Sequence, residues 1–276
     1  MTWRAVVVAL DAHEGFRSRL SAYQHPLAGR PVLWHVIAAL LEVQPPPASV
    51  HVLHRAGEPV TLLDLPDIVS TEAVEPGREA RAVRTALRAP SPTLLVDGAA
   101  ALLTAATLGR LVEMAADGVV MVPGEASTDV ALAVAGDAAV LGGSDDALRP
   151  AAALRVAPDS PAEALRVVDR HALSAAAAVM RDRVVRRHEA RGVTFLLPET
   201  VLVDVGVRIG ADTVIYPQVV LEGATVIGGE CVIGPFSRLT DANIGRGVEL
   251  TGWNYVCRAN VRNHAVLEPY VRRGYE

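Results

Sequence analysis

The chain has 276 residues, a formal net charge of −5 and 26 basic residues, and every one of those 26 is arginine. With no lysine anywhere, a lysine nucleophile, a Schiff base and a lysine on a phosphate are all excluded. The sequence is 51% hydrophobic but only 4% aromatic, so Ala, Val, Leu and Ile must build the core.

No basic block is present: Arg186-Arg187 and Arg272-Arg273 are isolated pairs, so no nucleic-acid partner is expected. The two cysteines, Cys231 and Cys257, make neither a disulfide framework nor a metal cluster and suit a reducing, cytoplasmic setting. The apolar run Ala5–Leu10 meets Asp11, His13 and Glu14 at once, too short for a signal-peptide core. Val32–Val43 contains His35 and Glu42, so no segment reaches membrane-spanning length.

Residues 1 to about 150 alternate β-rich and helical patterns. Arg4–Leu10 reads as a strand, and Pro31–Val43 as a helix with Leu33, Val36, Ile37, Leu40 and Leu41 on one face, ended by Pro45-Pro46-Pro47. Ser49–His54 is the next strand. Glu79–Arg88 is a helix, Thr93–Val96 a strand, Thr104–Ala116 a helix and Val119–Val122 a strand. Residues 129–141 add one or two strands. A buried parallel sheet covered by helices on both faces is the expectation. Pro161–Ala190 reads as helical after a cap at Asp159-Ser160, with Arg181, Arg183, Arg186 and Arg187 on a solvated face.

A second periodicity follows. Apolar residues recur every six positions at Val203, Ile209, Ile215, Leu221, Ile227, Ile233 and Leu239, with Val207, Thr213, Val219, Thr225, Cys231 and Ser237 four later. The repeat then slips by one and continues through Ile244, Leu250 and Val256. Neither a helix nor a plain strand has this period; it is the hexapeptide repeat of a parallel β-helix of about four coils.

Several segments, in this order, resemble the bifunctional uridyltransferase–acetyltransferases that make UDP-N-acetylglucosamine. They are Leu27-Ala28-Gly29-Arg30-Pro31-Val32 with His35-Val36-Ile37, Arg166–Arg170, Val179-Met180-Arg181, Asp212–Pro217, Leu221-Glu222-Gly223 and Ile233–Leu239. The resemblance implies an α/β architecture: a Rossmann-like nucleotidyltransferase domain over residues 1–158, a linking helical arm over 159–195, and a short left-handed parallel β-helix over 196–276 that forms a homotrimer.

The same comparison implies losses in the active site. Where the family has its glycine-rich phosphate loop, G-x-G-T-R, this chain has Asp11-Ala12-His13-Glu14-Gly15, and its P-K pair becomes Ser21-Ala22. Asp11 and Glu14 put negative charge where a triphosphate needs donors; like charges about 4 Å apart repel by about 4 kcal/mol at an effective dielectric of about 20. The family's base-binding stretch corresponds to Pro76–Ala80. Its metal-binding aspartate falls on Ala99, or on Asp97 after a two-residue shift, and its second metal ligand falls on Val168. The segment between Thr107 and Val168 is much shorter than the family's sugar-binding part. His264 is the lone histidine of the β-helix, and the coils that would carry the acetyl-CoA site are not in this chain.

Three functions follow as expectations. The first is a non-catalytic relative acting as a trimeric scaffold, regulatory subunit or partner of another protein, with no cofactor. The second is a diverged sugar nucleotidyltransferase using Asp11, His13, Glu14 or Asp97, with Mg²⁺ on Asp97. The third is a nucleotide-sugar or metabolite sensor. Most aromatics (Phe195, Tyr216, Phe236, Trp253, Tyr255, Tyr270 and Tyr275) lie towards the C-terminus, and Tyr216, Phe236, Trp253, Tyr255 and Tyr270 are the expected interface residues.

Overall fold

The computed structural model describes residues 2–11, 14–58, 60, 65–88, 92–115, 120–124, 127–137 and 154–274. It divides into two units. One contains Met1–Pro26 and Pro31–Ala176; the other contains Leu27–Arg30 and Ala177–Glu276.

The first unit is built on a seven-stranded sheet. Its strands are β1 (Arg4–Ala9), β2 (Val50–Arg55), β3 (Val69–Val74), β4 (Pro92–Asp97), β5 (Val120–Gly124), β6 (Ser127–Asp137) and β7 (Leu154–Arg155), in the order β3-β2-β1-β4-β6-β5-β7. The central strands β1 and β4 run as near-continuous apolar segments because both of their faces are covered. Helices α1 (Val32–Glu42) and α3 (Ala105–Met114) bury Leu33, Val36, Ile37, Leu40, Leu108 and Leu111 against Ala5, Val7, Val52, Leu94 and Val96 on one face. Helix α2 (Glu79–Ala86) lies over Val6, Leu53, Leu95 and Val134 on the other.

The sheet is mixed, not wholly parallel. β2, β1 and β4 are parallel neighbours, but β6 runs antiparallel to both β4 and β5. Two residues separate β5 from β6, and so short a connection joins only antiparallel neighbours.

The helix expected from Pro161 is interrupted. Pro161–Ala164 is a 3₁₀ turn with a capping box between Ser160 and Glu163. Glu163 is buried and also accepts hydrogen bonds from the Thr104 N–H and hydroxyl. The chain then continues without regular secondary structure, the Val167 N–H donating to the Ala99 carbonyl at 2.9 Å. Helix α4 (Arg170–Glu189) starts only afterwards, capped by Asp169, whose carboxylate accepts the Ala172 N–H at 2.7 Å.

The second unit is a parallel β-helix with three faces. One face stacks Phe195, Ile215, Ile233, Leu250 and Leu267; the next stacks Val203, Leu221, Leu239 and Val256; the third stacks Ile209, Ile227, Ile244 and Val261. The small residues four positions after the apolar ones are buried as well. The buried hydroxyls are satisfied: Thr213 donates to the Gly228 carbonyl and Thr225 to the Glu222 carbonyl. The slip in the repeat is a shortened corner between Leu239 and Ile244, and a second shortening at the same corner separates Val256 from Val261. The ladder begins ahead of the period of six, which starts at Val203: Thr194–Phe195 already pairs in register with Val214–Ile215.

Candidate functional site

From β1 the chain steps outward to β2 and β3, then returns to place β4 on the opposite side of β1. Between the carboxyl ends of β1 and β4 lies the point where strand order reverses, the place where open α/β sheets bind their ligands. Asp97 is the last residue of β4, and Asp11 follows β1.

The chain's own groups fill this point. Asp97 is 2% exposed. Its Oδ1 accepts the Ala99 N–H at 2.9 Å, and its Oδ2 accepts Nε–H of Arg166 at 2.5 Å. A second nitrogen of the same guanidinium, Nη2, donates to Asp11 Oδ2 at 3.3 Å. The Tyr23 ring is buried in the gap, its hydroxyl accepting the Asp11 N–H at 3.2 Å. A Cβ at Gly98 would stand 3.0 Å from Tyr23 Cε1 and 3.1 Å from Ala9 Cβ, so glycine there makes room for the ring.

Burial raises the Asp97 carboxyl above its ordinary range, with the Arg166 charge and the Ala99 N–H pulling the other way. Burial also works against the Arg166 charge, but Asp97, Asp11 and Tyr23 outweigh it and raise the guanidinium further. Tyr23 is pushed well up, first by burial and then by the two aspartates. A buried carboxylate with a charge-assisted partner and a backbone donor is satisfied as it stands.

The loop after β1 is held down by the stretch 166–170. Arg170 donates from Nε to the Phe16 carbonyl at 3.0 Å, and the Phe16 ring stacks on His25 with centroids 4.5 Å apart. Burial, then the Arg170 charge, lowers the His25 pKa. A Cβ at Gly15 would stand 3.0 Å from Asp169 Cβ and 3.3 Å from the Val168 carbonyl. An arginine at residue 15, where the family resemblance places one, would have to push back the Val168–Asp169 stretch by a few tenths of an ångström.

Of the sequence candidates, Asp11 and Asp97 meet through one arginine. Glu14 is exposed on a 3₁₀ turn, and His13 lies outside the described residues. The sequence reading missed Arg166 and Tyr23 as members of the cluster. In the sequence Arg166 stands out only as part of the linking segment, and a partner 69 residues from Asp97 leaves no local pattern.

On the β-helix, Phe236, Trp253 and Tyr270 occupy one corner of successive coils, with φ of +58°, +51° and +66°. Similar left-handed backbone geometry repeated every coil aims the three rings the same way, and strand spacing of about 4.8 Å brings them into contact. They stack with centroids 5.1 and 5.6 Å apart and are 52%, 48% and 70% exposed. Tyr216 is exposed separately, and Tyr255 is half-buried under the Arg272 guanidinium at 5.5 Å. Phe195 is buried in the core, and Tyr275 lies outside the described residues. His264 is exposed.

Residues 206–241 match the family model described as bacterial transferase hexapeptide (six repeats). Over the hexapeptide region the chain is 43% identical across 108 residues to the bifunctional protein GlmU of Alkaliphilus oremlandii, covering 39% of this chain and 24% of that protein. It is 48% identical across 88 residues to GlmU of a Geobacillus species, covering 32% of this chain and 19% of that protein. Over this region the chain is similar to GlmU. The match spans about a quarter or less of the curated relatives' length.

Among solved structures, the chain shares its fold with a nucleotidyl transferase from Methanothermobacter at TM-score 0.51 and 17% identity, covering 67% of this chain and 99% of that one. A 4-diphosphocytidyl-2C-methyl-D-erythritol synthase from Anaerococcus prevotii gives TM-score 0.51 at 12% identity, covering 65% and 96%. The first unit is thus a nucleotidyltransferase-like Rossmann fold, and the second a hexapeptide, left-handed parallel β-helix.

A Mg²⁺ ion of the kind the family resemblance implies does not fit the residues present. Both Asp97 oxygens are engaged, and Ala99 and Val168 offer only hydrocarbon side chains. Among the described residues no cluster of three metal-ligating side chains occurs.

Proposed function

We propose that this chain is a non-catalytic relative of the sugar-1-phosphate nucleotidyltransferases, working in the cytoplasm as a homotrimeric scaffold or as the partner subunit of another protein, with no cofactor. One observation carries the reading: the switch-point crevice is filled by Tyr23 and by the Arg166 guanidinium on Asp97 and Asp11. Phosphoryl transfer needs donors and a metal between the phosphates. Here two carboxylates and one already-paired arginine stand at the strand ends. The relation to GlmU and the intact hexapeptide core support assembly through the β-helix, and among the described residues no helix is long and apolar enough to cross a membrane.

The alternative is a diverged nucleotidyltransferase, favoured by Asp11 and Asp97 converging at the switch point. Titration calorimetry with each nucleoside triphosphate plus Mg²⁺ separates the two. The scaffold reading predicts no binding heat; saturable, metal-dependent heat abolished by Asp97→Asn would establish the alternative. Light scattering tests the assembly: a trimer mass is expected for the wild type, and a wild-type monomer at micromolar concentration would contradict it.

A further inference from the structure

We propose that the Arg166 guanidinium is the resident cation of the switch-point crevice, occupying the place of a divalent metal ion and holding Asp97 and Asp11 as that ion would. The inference builds on the reading of the crevice as closed and adds what closes it. A carboxylate as deeply buried as Asp97 requires a cation or a proton. The described structure supplies the cation from within: one planar guanidinium reaches Asp97 Oδ2 at 2.5 Å and Asp11 Oδ2 at 3.3 Å, bridging the residues that follow β1 and end β4.

Three further features fit the replacement. Arg166 is fixed by its neighbour Val167, whose N–H donates to the Ala99 carbonyl and whose side chain is fully buried. Val168, at the position of a second metal ligand in the resembled family, has no donor atom to give an ion. Val168 and Asp169, which follow Arg166, pack directly on Gly15, four residues after Asp11. An arginine suits this role because its charge is permanent and its fork binds two carboxylates, whereas a divalent metal ion would need a larger set of oxygen ligands.

The test is Mn²⁺ binding, followed by electron paramagnetic resonance, together with thermal melting of the full chain. Wild type is expected to bind no Mn²⁺ at Asp97. Arg166→Ala should bind Mn²⁺, lose it on the further change Asp97→Asn, and melt roughly 5–10 °C lower than wild type. Millimolar guanidinium should displace that Mn²⁺ and move the melting midpoint of Arg166→Ala back towards wild type. If Arg166→Ala does not fold, the pair Arg166→Ala/Asp97→Asn, which removes both charges, should fold again.

Wild-type Mn²⁺ binding that Asp97→Asn abolishes would overturn the proposal. So would an Arg166→Ala variant that folds with an unchanged midpoint and takes up neither cation, or a double variant that stays unfolded. Nucleotide binding by wild type with no Mn²⁺ at Asp97 would defeat the scaffold reading and leave this proposal standing.

Discussion

In the β-helix, the buried position is repeated: Ile215, Ile233 and Leu250 stack coil upon coil, and each rung is supported by the ones above and below. At the ends of β1 and β4 the buried position is single. Among the described residues Asp97 is paired with one cation, Arg166, and takes one further hydrogen bond, from the Ala99 N–H. The apolar ladder derives its stability from area, summed over many equivalent contacts. The carboxylate cluster depends on one geometry, and removing one member leaves a buried charge unpaired. A repeat can therefore keep its architecture through many substitutions, whereas a polar site changes its chemistry with one or two.

The ladder is broken most effectively at its middle. Ile233→Ala removes a fully buried side chain from a rung with neighbours on both sides. It should cost about 3–4 kcal/mol in urea unfolding, with the fold retained. A cost near zero would mean the coils do not share one core.

The β-helix unit also contains a buried polar group that sharpens the contrast. His188 of α4 is 1% exposed, and neither of its ring nitrogens has a hydrogen-bond partner among the described residues. Burial, then the charges of Arg187 and Arg191, lower its pKa to about 4. Between pH 6.5 and 4 the unfolded chain binds a proton that the folded chain refuses, so stability rises with pH in that window and falls on acidification. Lowering the pH from 7 to 4 should cost about 3 kcal/mol through this residue, and His188→Leu should flatten the dependence. An unaltered pH profile in that variant would show that His188 is not the group responsible.

A smaller effect is expected at the crevice, where the loop meets the stretch after Val168. Gly15→Arg forces a side chain into the 3.0 Å gap to Asp169. It should cost about 1–3 kcal/mol in thermal melting and gain no nucleotide binding. A variant that binds nucleotide with unchanged stability would show that the loop has room after all.

The two regions also differ in what their residues announce. The period of six from Val203 to Leu239 is a chain-local signal, and the β-helix was legible down to the slip before Ile244. The second shortening, before Val261, was not, because one missing residue near the end has too few repeats after it to stand out. In the α/β unit, the helices at Leu33–Leu41 and Leu108–Val112 were legible from their apolar faces. The antiparallel course of Ser127–Asp137 was not, since strands buried on both faces look alike in either direction.

At the site, the absence of a phosphate loop at Asp11–Gly15 could be read directly. The pairing of Arg166 with Asp97 and Asp11 could not, because it joins residues 69 and 155 positions apart through side chains alone. The stack of Phe236, Trp253 and Tyr270, spaced at one coil per ring, was legible as aromatics suited to an interface but not as a stack.

The direct test of the account is an assay for pyrophosphate release from each nucleoside triphosphate with Mg²⁺ and a panel of sugar 1-phosphates, using the full chain. A crevice occupied by Arg166 and Tyr23 predicts no release above the protein-free blank. Sustained release that Asp97→Asn abolishes would contradict it, and would make this chain an active nucleotidyltransferase.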